Sequence, residues 1–303
     1  MKKRYLISFF SSELGAGSSE NIKQLRTPNS KLQIFVLVAF LTVPTVIHAQ
    51  TTAQGLTPSE LECLGRLIYF NECSGRSERL IAWNEDEDFP SLGIGHFIWY
   101  PNGRQGRFKE SFPELIAFLK TSGVETPDWI EEGLPWQSRE EFMANQQSDQ
   151  MIALRSLLEN TRSLQTQFMV ERMRSALPKM LAAAPADERV FIKKKFYLIE
   201  DTPSGIFAMI DYVNFKGEGI SITERLKGEG WGLLQVLQEM TIPKDNEDAL
   251  PEFVRAAERV LEKRVENAAS SKDETRWLKG WKNRVSRYLD ISCVDPSASP
   301  ALT

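Results

Sequence analysis

Glu72 is the residue of this sequence that is best placed for acid catalysis. It continues, by one further step of four, a row of apolar residues spaced like one face of an α-helix. The row consists of Leu61, Leu64 and Ile68. On that face Glu72 points toward the interior, where loss of hydration favours a protonated carboxyl group, the form that a general acid needs. The alternative is that Glu72 lies past the helix end in solvent and pairs with Arg76 or Arg79.

A second group of acids follows, and it includes Glu85. The four consecutive acidic residues are Glu85, Asp86, Glu87 and Asp88. They cannot all be buried, so the sequence predicts a turn in which most of them face water. A calcium loop is the weaker alternative, because the alternating carboxylates and the glycine of an EF-hand loop are missing.

The segment Ser91-Leu92-Gly93-Ile94-Gly95-His96 is the most specific motif of the chain. With Glu72 and Glu85 it resembles the phage-type lysozymes. In that family a glutamate at the end of the first helix precedes an acidic residue in a β-turn and a Thr-Ile-Gly-Ile-Gly-His-like strand. Five residues separate Glu85 from Ser91, as in the family. This chain departs from the family pattern by about four extra residues between Glu72 and Glu85, by Glu at position 85 and by Ser at position 91.

Two segments nearer the C-terminus extend the resemblance. The stretch from Arg276 to Arg284 is similar to the family's late helix with its Gly-aromatic/Leu-x-x-Arg pattern. Gly232-Leu233-Leu234-Gln235 is similar to the Gly-Leu-Met-Gln segment of lytic transglycosylases, although it lies far from Glu72. The segment 120–200 matches nothing in the family.

The resemblance implies a glycosidase with an oxocarbenium-like transition state. Glu72 would protonate the leaving oxygen, while Glu85 and Ser91 would position a water on the other face of the sugar. After a small shift, Asp86, Glu87 or Asp88 could take the place of Glu85.

Further residues of the motif region are candidates for substrate binding. Gly93 and Gly95 would let the backbone approach the glycan, and His96 is expected to pack or hydrogen-bond rather than act as a base. Trp99 and Tyr100 are the aromatic residues expected to be exposed in the cleft. By contrast, the spacing of four between two later tryptophans is typical of a helical core. These two are Trp277 and Trp281.

The elements around these residues predict a mainly helical α+β fold of the lysozyme-like type, with a small sheet and an enlarged helical lobe. Thr57-Pro58-Ser59-Glu60 combines a helix cap, a first-turn proline and a glutamate three residues after the cap. Segment 74–110 favours turns and short strands around 91–100, and 216–232 is glycine-rich. Further helices are predicted at 111–119, from 138, and at 148–160, 162–182, 186–198, 204–213, 247–267 and 273–289.

The first fifty residues predict export. An apolar run from Ile34 to Ile47 follows Lys31 and ends near Ala49 in a small-residue cleavage pattern, which is typical of a signal peptide. We expect cleavage near Ala49 and a periplasmic or secreted protein without a stable membrane anchor. The domain plan is an N-terminal extension and signal peptide at 1–50, a lysozyme-like domain at 55–293 with a helical insertion at about 120–200, and a flexible tail at 294–303.

Composition narrows the classes of function. Removing residues 1–49 takes away six basic and two acidic residues, which leaves 31 Lys/Arg, 39 Asp/Glu and a net charge of −8. Such a chain is a poor candidate for nucleic-acid binding, which depends on neutralising phosphates. Of the two histidines only His96 would remain, so neither a histidine-rich metal site nor a cofactor is expected.

Three cysteines allow one disulfide in an oxidising compartment. A Cys63–Cys73 bond would staple the segment around Glu72, but the sequence does not choose the pair, and buried free thiols are an equal alternative.

From the motifs and the predicted signal peptide, the chain is expected to be a periplasmic peptidoglycan hydrolase that binds glycan strands. The alternatives are a lytic transglycosylase and a non-enzymatic lysozyme-like module that binds a glycan or a protein.

Overall fold

A computed structural model describes residues 55–106, 108–222, 225–242, 248–268, 274–291 and 293. The predicted signal peptide at 1–50 and the predicted tail at 294–303 lie outside the described residues. Within the described residues no helix is both long enough and apolar enough to cross a membrane.

The first helix, α1, runs from Pro58 to Cys73 and begins as predicted. Thr57 accepts a hydrogen bond from the backbone N–H of Glu60, and the Glu60 carboxylate accepts one from the backbone N–H of Thr57. This reciprocal pair satisfies two N–H groups that have no partner inside the helix. Ser74, in the left-handed conformation, ends the helix, which places Glu72 in its last turn.

Nine further helices of α type lie in the described part of the chain. They are α2 Phe112–Thr121, α3 Arg139–Ala144, α4 Asp149–Asn160, α5 Arg162–Ala183, α6 Arg189–Glu200, α7 Pro203–Lys216, α8 Leu233–Glu239, α9 Ala249–Asn267 and α10 Thr275–Ser286. Short 3-10 helices lie at Ser77–Leu80, Asp128–Glu132 and Arg287–Asp290. The predicted helices are all present within a few residues, whereas α8 was not predicted.

A small antiparallel sheet follows α1. Its strands β1 Ile81–Ala82, β2 Ser91–Leu92 and β3 Phe97–Ile98 pair in chain order. Ser91 lies opposite Ala82 on one side and Ile98 on the other. The prediction of a mainly helical α+β fold with a small sheet is therefore confirmed.

The buried side chains of the sheet and the helices join in one hydrophobic core. Helix α1 supplies Leu61, Leu64 and Ile68 to it, so the face that also carries Glu72 is the buried face of the helix, as the spacing predicted. Helix α1 packs mainly against α5 and also contacts α7.

A disulfide joins Cys63 of α1 to Cys293, which follows the last 3-10 helix. Cys73 is a buried free thiol. The possible Cys63–Cys73 staple is therefore wrong: the bond connects α1 to a segment 230 residues away instead of closing a short loop.

Candidate functional site

The carboxylate of Glu72 lies where three distant segments meet. Its side chain is 14% exposed. One oxygen, Oε1, accepts a hydrogen bond of 2.7 Å from Nη2 of Arg284 on α10, and the other, Oε2, lies 3.4 Å from Nδ1 of His96. Glu72 is therefore neither free in solvent nor paired with Arg76 or Arg79, and it keeps a small opening to water.

The turn between β2 and β3 brings His96 to Glu72. Gln165 of α5, which is fully buried, accepts a hydrogen bond of 2.9 Å from the backbone N–H of Ile94. The same side chain donates to the carbonyl of Leu158 at 2.6 Å, so the turn is tied to the helical core.

The glycines of this turn are required by packing. Gly93 has a φ of +68°, and a Cβ there would collide with the Gln165 side chain. A Cβ on Gly95 would meet the ring of Phe97. His96 itself has a φ of +47°, an uncommon conformation for a residue with a side chain. This conformation aims the half-exposed imidazole at Glu72.

Arg284 is held in place by a buried acid. Asp211 on α7 accepts two hydrogen bonds from it, from Nε at 2.9 Å and from Nη2 at 2.7 Å. Asp211 also accepts a hydrogen bond of 2.6 Å from the hydroxyl of Tyr288, which is itself buried. Glu72 and Asp211 thus share one nitrogen of a single guanidinium group.

The electrostatics of the site follow from burial and from this pairing. Burial alone would lower the pKa of Arg284, but the hydrogen bond to Asp211 and the charges of Asp211 and Glu72 raise it. Burial raises the pKa of Tyr288, and the charge of Asp211 adds to that effect. Arg284 therefore stays a cation and stabilises negative charge on Glu72.

The thiol of Cys73, next to Glu72 in the chain, is not poised for nucleophilic chemistry. Burial, together with the charge of Glu72, raises its pKa to about 12. Reactive cysteines have a lowered pKa and some exposure, and Cys73 has neither.

Glu85 and Ser91, the two residues predicted to position a water, do not contact Glu72 as His96 does. The Glu85 side chain is 83% exposed and lies 3.5 Å from Nη2 of Arg139. Ser91 is buried in the middle strand of the sheet. Glu85 thus occupies the solvated turn that the acidic run predicted.

The predicted cleft exposure of Trp99 and Tyr100 is wrong. Both residues are buried: the Trp99 ring lies 4.6 Å from that of Phe112, and the Tyr100 ring lies 5.1 Å from that of Phe89. They border a cavity of about 500 Å³, but rings packed in this way do not offer a free face to a sugar. The opposite error concerns Trp277, which was expected in the core and is half exposed.

Sequence reasoning missed Asp211 and Tyr288. The signal for Asp211 was a single acid inside the otherwise apolar stretch Ile206–Val213, since a charge in such a place needs a partner. Gln235 has a structural role: its side chain accepts from the N–H of Gly232 and donates to the carbonyl of Gly219, which fixes the start of α8.

No group of three or more potential metal-binding side chains is present among the residues that the structure describes. Comparisons with protein-family models, with curated proteins and with solved structures give no match for this chain.

Proposed function

We propose that this chain is a glycosidase of the lysozyme-like type that cleaves peptidoglycan strands outside the cytoplasm, with Glu72 as its acid. The observation that carries the proposal is the convergence of three segments on one carboxyl group. Glu72, His96 and Arg284 belong to the separate stretches that resemble the phage-type lysozymes, and the Glu72 carboxylate lies 3.4 Å from Nδ1 of His96 and 2.7 Å from Nη2 of Arg284.

The contacts support a defined sequence of proton movements. Glu72 donates its proton to the glycosidic oxygen, the bond from that oxygen to the anomeric carbon breaks, and positive charge develops on the sugar ring. The carboxylate left on Glu72 is stabilised by Arg284, which Asp211 holds in position. Water then adds to the anomeric carbon and returns a proton to Glu72.

One observation favours a lytic transglycosylase as the second candidate. Glu85 lies on the surface and pairs with Arg139, so a second acid that positions water is not supported by its contacts. A transglycosylase needs no such acid, because a hydroxyl of the substrate itself attacks the anomeric carbon and leaves an anhydro sugar end.

The disulfide supports the proposed location. A Cys63–Cys293 bond forms and persists in an oxidising environment, such as the periplasm or the cell exterior. The signal peptide predicted within residues 1–50 remains a prediction.

Mass spectrometry of purified peptidoglycan digested with the protein tests the proposal. We expect soluble glycan fragments with the wild type and none with Glu72→Gln. Reducing sugar ends would identify a hydrolase, and anhydro ends would identify a transglycosylase. Binding without any release of fragments by the folded, disulfide-bonded protein would overturn the proposal in favour of a non-enzymatic binding module.

A further inference from the structure

The outward face of α6 carries three exposed hydrophobic residues. Val190, Phe191 and Tyr197 are 73%, 52% and 50% exposed. The opposite face of the helix is buried and fixes α6 to the core. Lys193 and Lys194 are exposed beside the three hydrophobic residues, and we call these five residues the α6 outer face. Apolar side chains that cluster at a surface are typical of an interaction site.

Helical geometry gives this face a regular order. Val190 and Tyr197 lie on nearly the same line along the helix, because they are seven residues apart and a turn takes 3.6 residues. Lys193 and Lys194 lie on opposite sides of that line. Nζ of Lys193 is 6.0 Å from the centre of the Tyr197 ring. The face therefore presents an apolar strip between two ammonium groups.

The α6 outer face is also positively charged. Four of the twelve residues of α6 are cations and one, Glu200, is an acid, which an arginine of α5 binds. Asp187 and Asp201 lie beyond the two ends of the helix. Among the residues that the structure describes, no hydrogen bond or ion pair engages Nζ of Lys193 or Lys194. The face is thus locally cationic on a chain whose net charge outside residues 1–49 is −8.

The combination of charge and apolar surface selects the partner. A second copy of the chain, docked by the same face, would bring like charges together, which is unfavourable. A soluble polymer of phosphates would pair with the lysines but would leave Val190 and Phe191 without an apolar partner. The surface of an anionic lipid bilayer supplies both, because phosphate groups lie directly above the hydrocarbon region.

We propose that the α6 outer face docks this protein reversibly on a membrane that contains anionic lipid. Val190 and Phe191 enter the boundary between headgroups and acyl chains, and Tyr197 lies at that boundary with its hydroxyl toward water. Lys193 and Lys194 contact lipid phosphates while their alkyl stems lie along the apolar strip. The inference does not rest on the proposed function, since none of the residues assigned to glycan cleavage belongs to α6.

Co-sedimentation with lipid vesicles tests the charge. We expect binding to vesicles of equal parts phosphatidylglycerol and phosphatidylcholine, weaker binding as salt is raised, and little binding to phosphatidylcholine alone. Lys193→Gln/Lys194→Gln should weaken binding by about 30-fold, the effect of two cations near an anionic surface. Lys227→Gln/Lys279→Gln removes two exposed lysines outside α6 and should bind as the wild type. Equal binding to both kinds of vesicle would overturn the proposal.

A second pair of variants tests the apolar strip. Val190→Ser/Phe191→Ser keeps every charge and should weaken binding by about tenfold or more, because less apolar surface enters the membrane. Ile152→Ser/Ile222→Ser, which changes two exposed isoleucines outside α6, is the control. Unchanged melting temperatures would show that both variants fold. If binding falls in the lysine variant but not in Val190→Ser/Phe191→Ser, the face recognises negative charge alone, which overturns membrane docking.

A site-resolved measurement assigns the contact to α6, since the apolar run at 34–47 is common to every variant. Amine-reactive labelling followed by peptide mass spectrometry should find Lys193 and Lys194 protected by the anionic vesicles. Lys227 and Lys279 should be labelled as in the free protein. Labelling of Lys193 and Lys194 that the vesicles leave unchanged would overturn the proposal even if the chain sediments with them.

Discussion

Two glutamates of this protein, the partly buried Glu72 and the buried Glu252, both lie beside arginines but differ in how completely they are bonded. Glu252 is in the first turn of α9 and accepts hydrogen bonds from the backbone N–H of Thr241 and from Arg255 and Arg259, at 2.9–3.1 Å. Glu72 has one hydrogen bond of normal length, from Arg284, and a longer contact to His96.

The two glutamates also differ in their position along a helix, because Glu252 lies in the first turn of α9 and Glu72 in the last turn of α1. A helix N-terminus stabilises negative charge and a C-terminus disfavours it, so the helix end favours the carboxylate of Glu252, whereas Glu72 depends on Arg284 for that stabilisation. Glu252 accepts two of its hydrogen bonds from arginines of its own helix α9 and one from Thr241, which precedes the helix. Glu72 has an oxygen, Oε2, whose contact is the 3.4 Å approach of His96, and its side chain is partly exposed. A carboxyl group with few hydrogen bonds, such as that of Glu72, can still bond to a substrate. A carboxyl group with several hydrogen bonds, such as that of Glu252, stabilises the fold.

The sharpest test exchanges each glutamate for glutamine. Glu72→Gln should lower the rate of glycan cleavage by about 100-fold to 10,000-fold, because glutamine cannot donate the proton. Its free energy of unfolding should change by less than about 1 kcal/mol, since Arg284 keeps Asp211. Turnover and urea unfolding are the measurements. Glu252→Gln is the matched control and should keep the cleavage rate. A loss of cleavage in both variants would contradict a catalytic role for Glu72 that Glu252 does not share.

The sequence predicted Glu72 but not its partners, and the reason is the range of the interactions. The cap of α1 and the spacing of its apolar residues are local, so the helix and its buried face could be predicted. Arg284 is 212 residues from Glu72 and 73 from Asp211, and their pairing depends on how α7 and α10 pack. Trp99 was misjudged for the same reason, because its burial depends on α2 packing over β3.

Removing the buried anchor of Arg284 should cost stability as well as activity. Asp211→Ala leaves Arg284 and the Tyr288 hydroxyl without their shared acceptor, and breaking a buried pair in this way costs about 3–5 kcal/mol. Asp211→Asn, which keeps an acceptor oxygen, should lose less. Urea unfolding of both variants checks this, and an unchanged midpoint for Asp211→Ala would show that Glu72 alone holds Arg284.

The disulfide should matter more for the Glu72 site than for Glu252, because it links α1 to the segment that follows Arg284. Cys293→Ser should lower the free energy of unfolding by about 2–4 kcal/mol. A reductant should lower the melting temperature of the wild type and leave that of the Cys63→Ser/Cys293→Ser double variant unchanged. Peptide mapping without reductant should recover Cys63 bound to Cys293, and recovery of Cys63 bound to Cys73 would contradict the arrangement.

The smallest expected effect is on the loss of stability at acidic pH, to which Glu252 contributes. Burial alone would raise the pKa of Glu252, but the hydrogen bonds from Thr241, Arg259 and Arg255 bring it below its usual value of 4.5. A carboxyl group with a lowered pKa in the folded state contributes stability above its unfolded pKa and loses it as the pH falls through the folded pKa. Stability should therefore decline from pH 4.5 downward.

Glu252→Gln should flatten that decline, because glutamine does not titrate. At neutral pH it should cost about 1.5–3 kcal/mol, the value of hydrogen bonds to a charged group. Chemical unfolding at a series of pH values measures both effects. The neighbouring Glu239, whose pKa is lowered chiefly by its hydrogen bond to Lys263 against the opposing effect of burial, should leave a residual slope in the variant. If the free energy of unfolding falls equally with decreasing pH in wild type and variant, Glu252 stabilises the fold no more than Glu72 does.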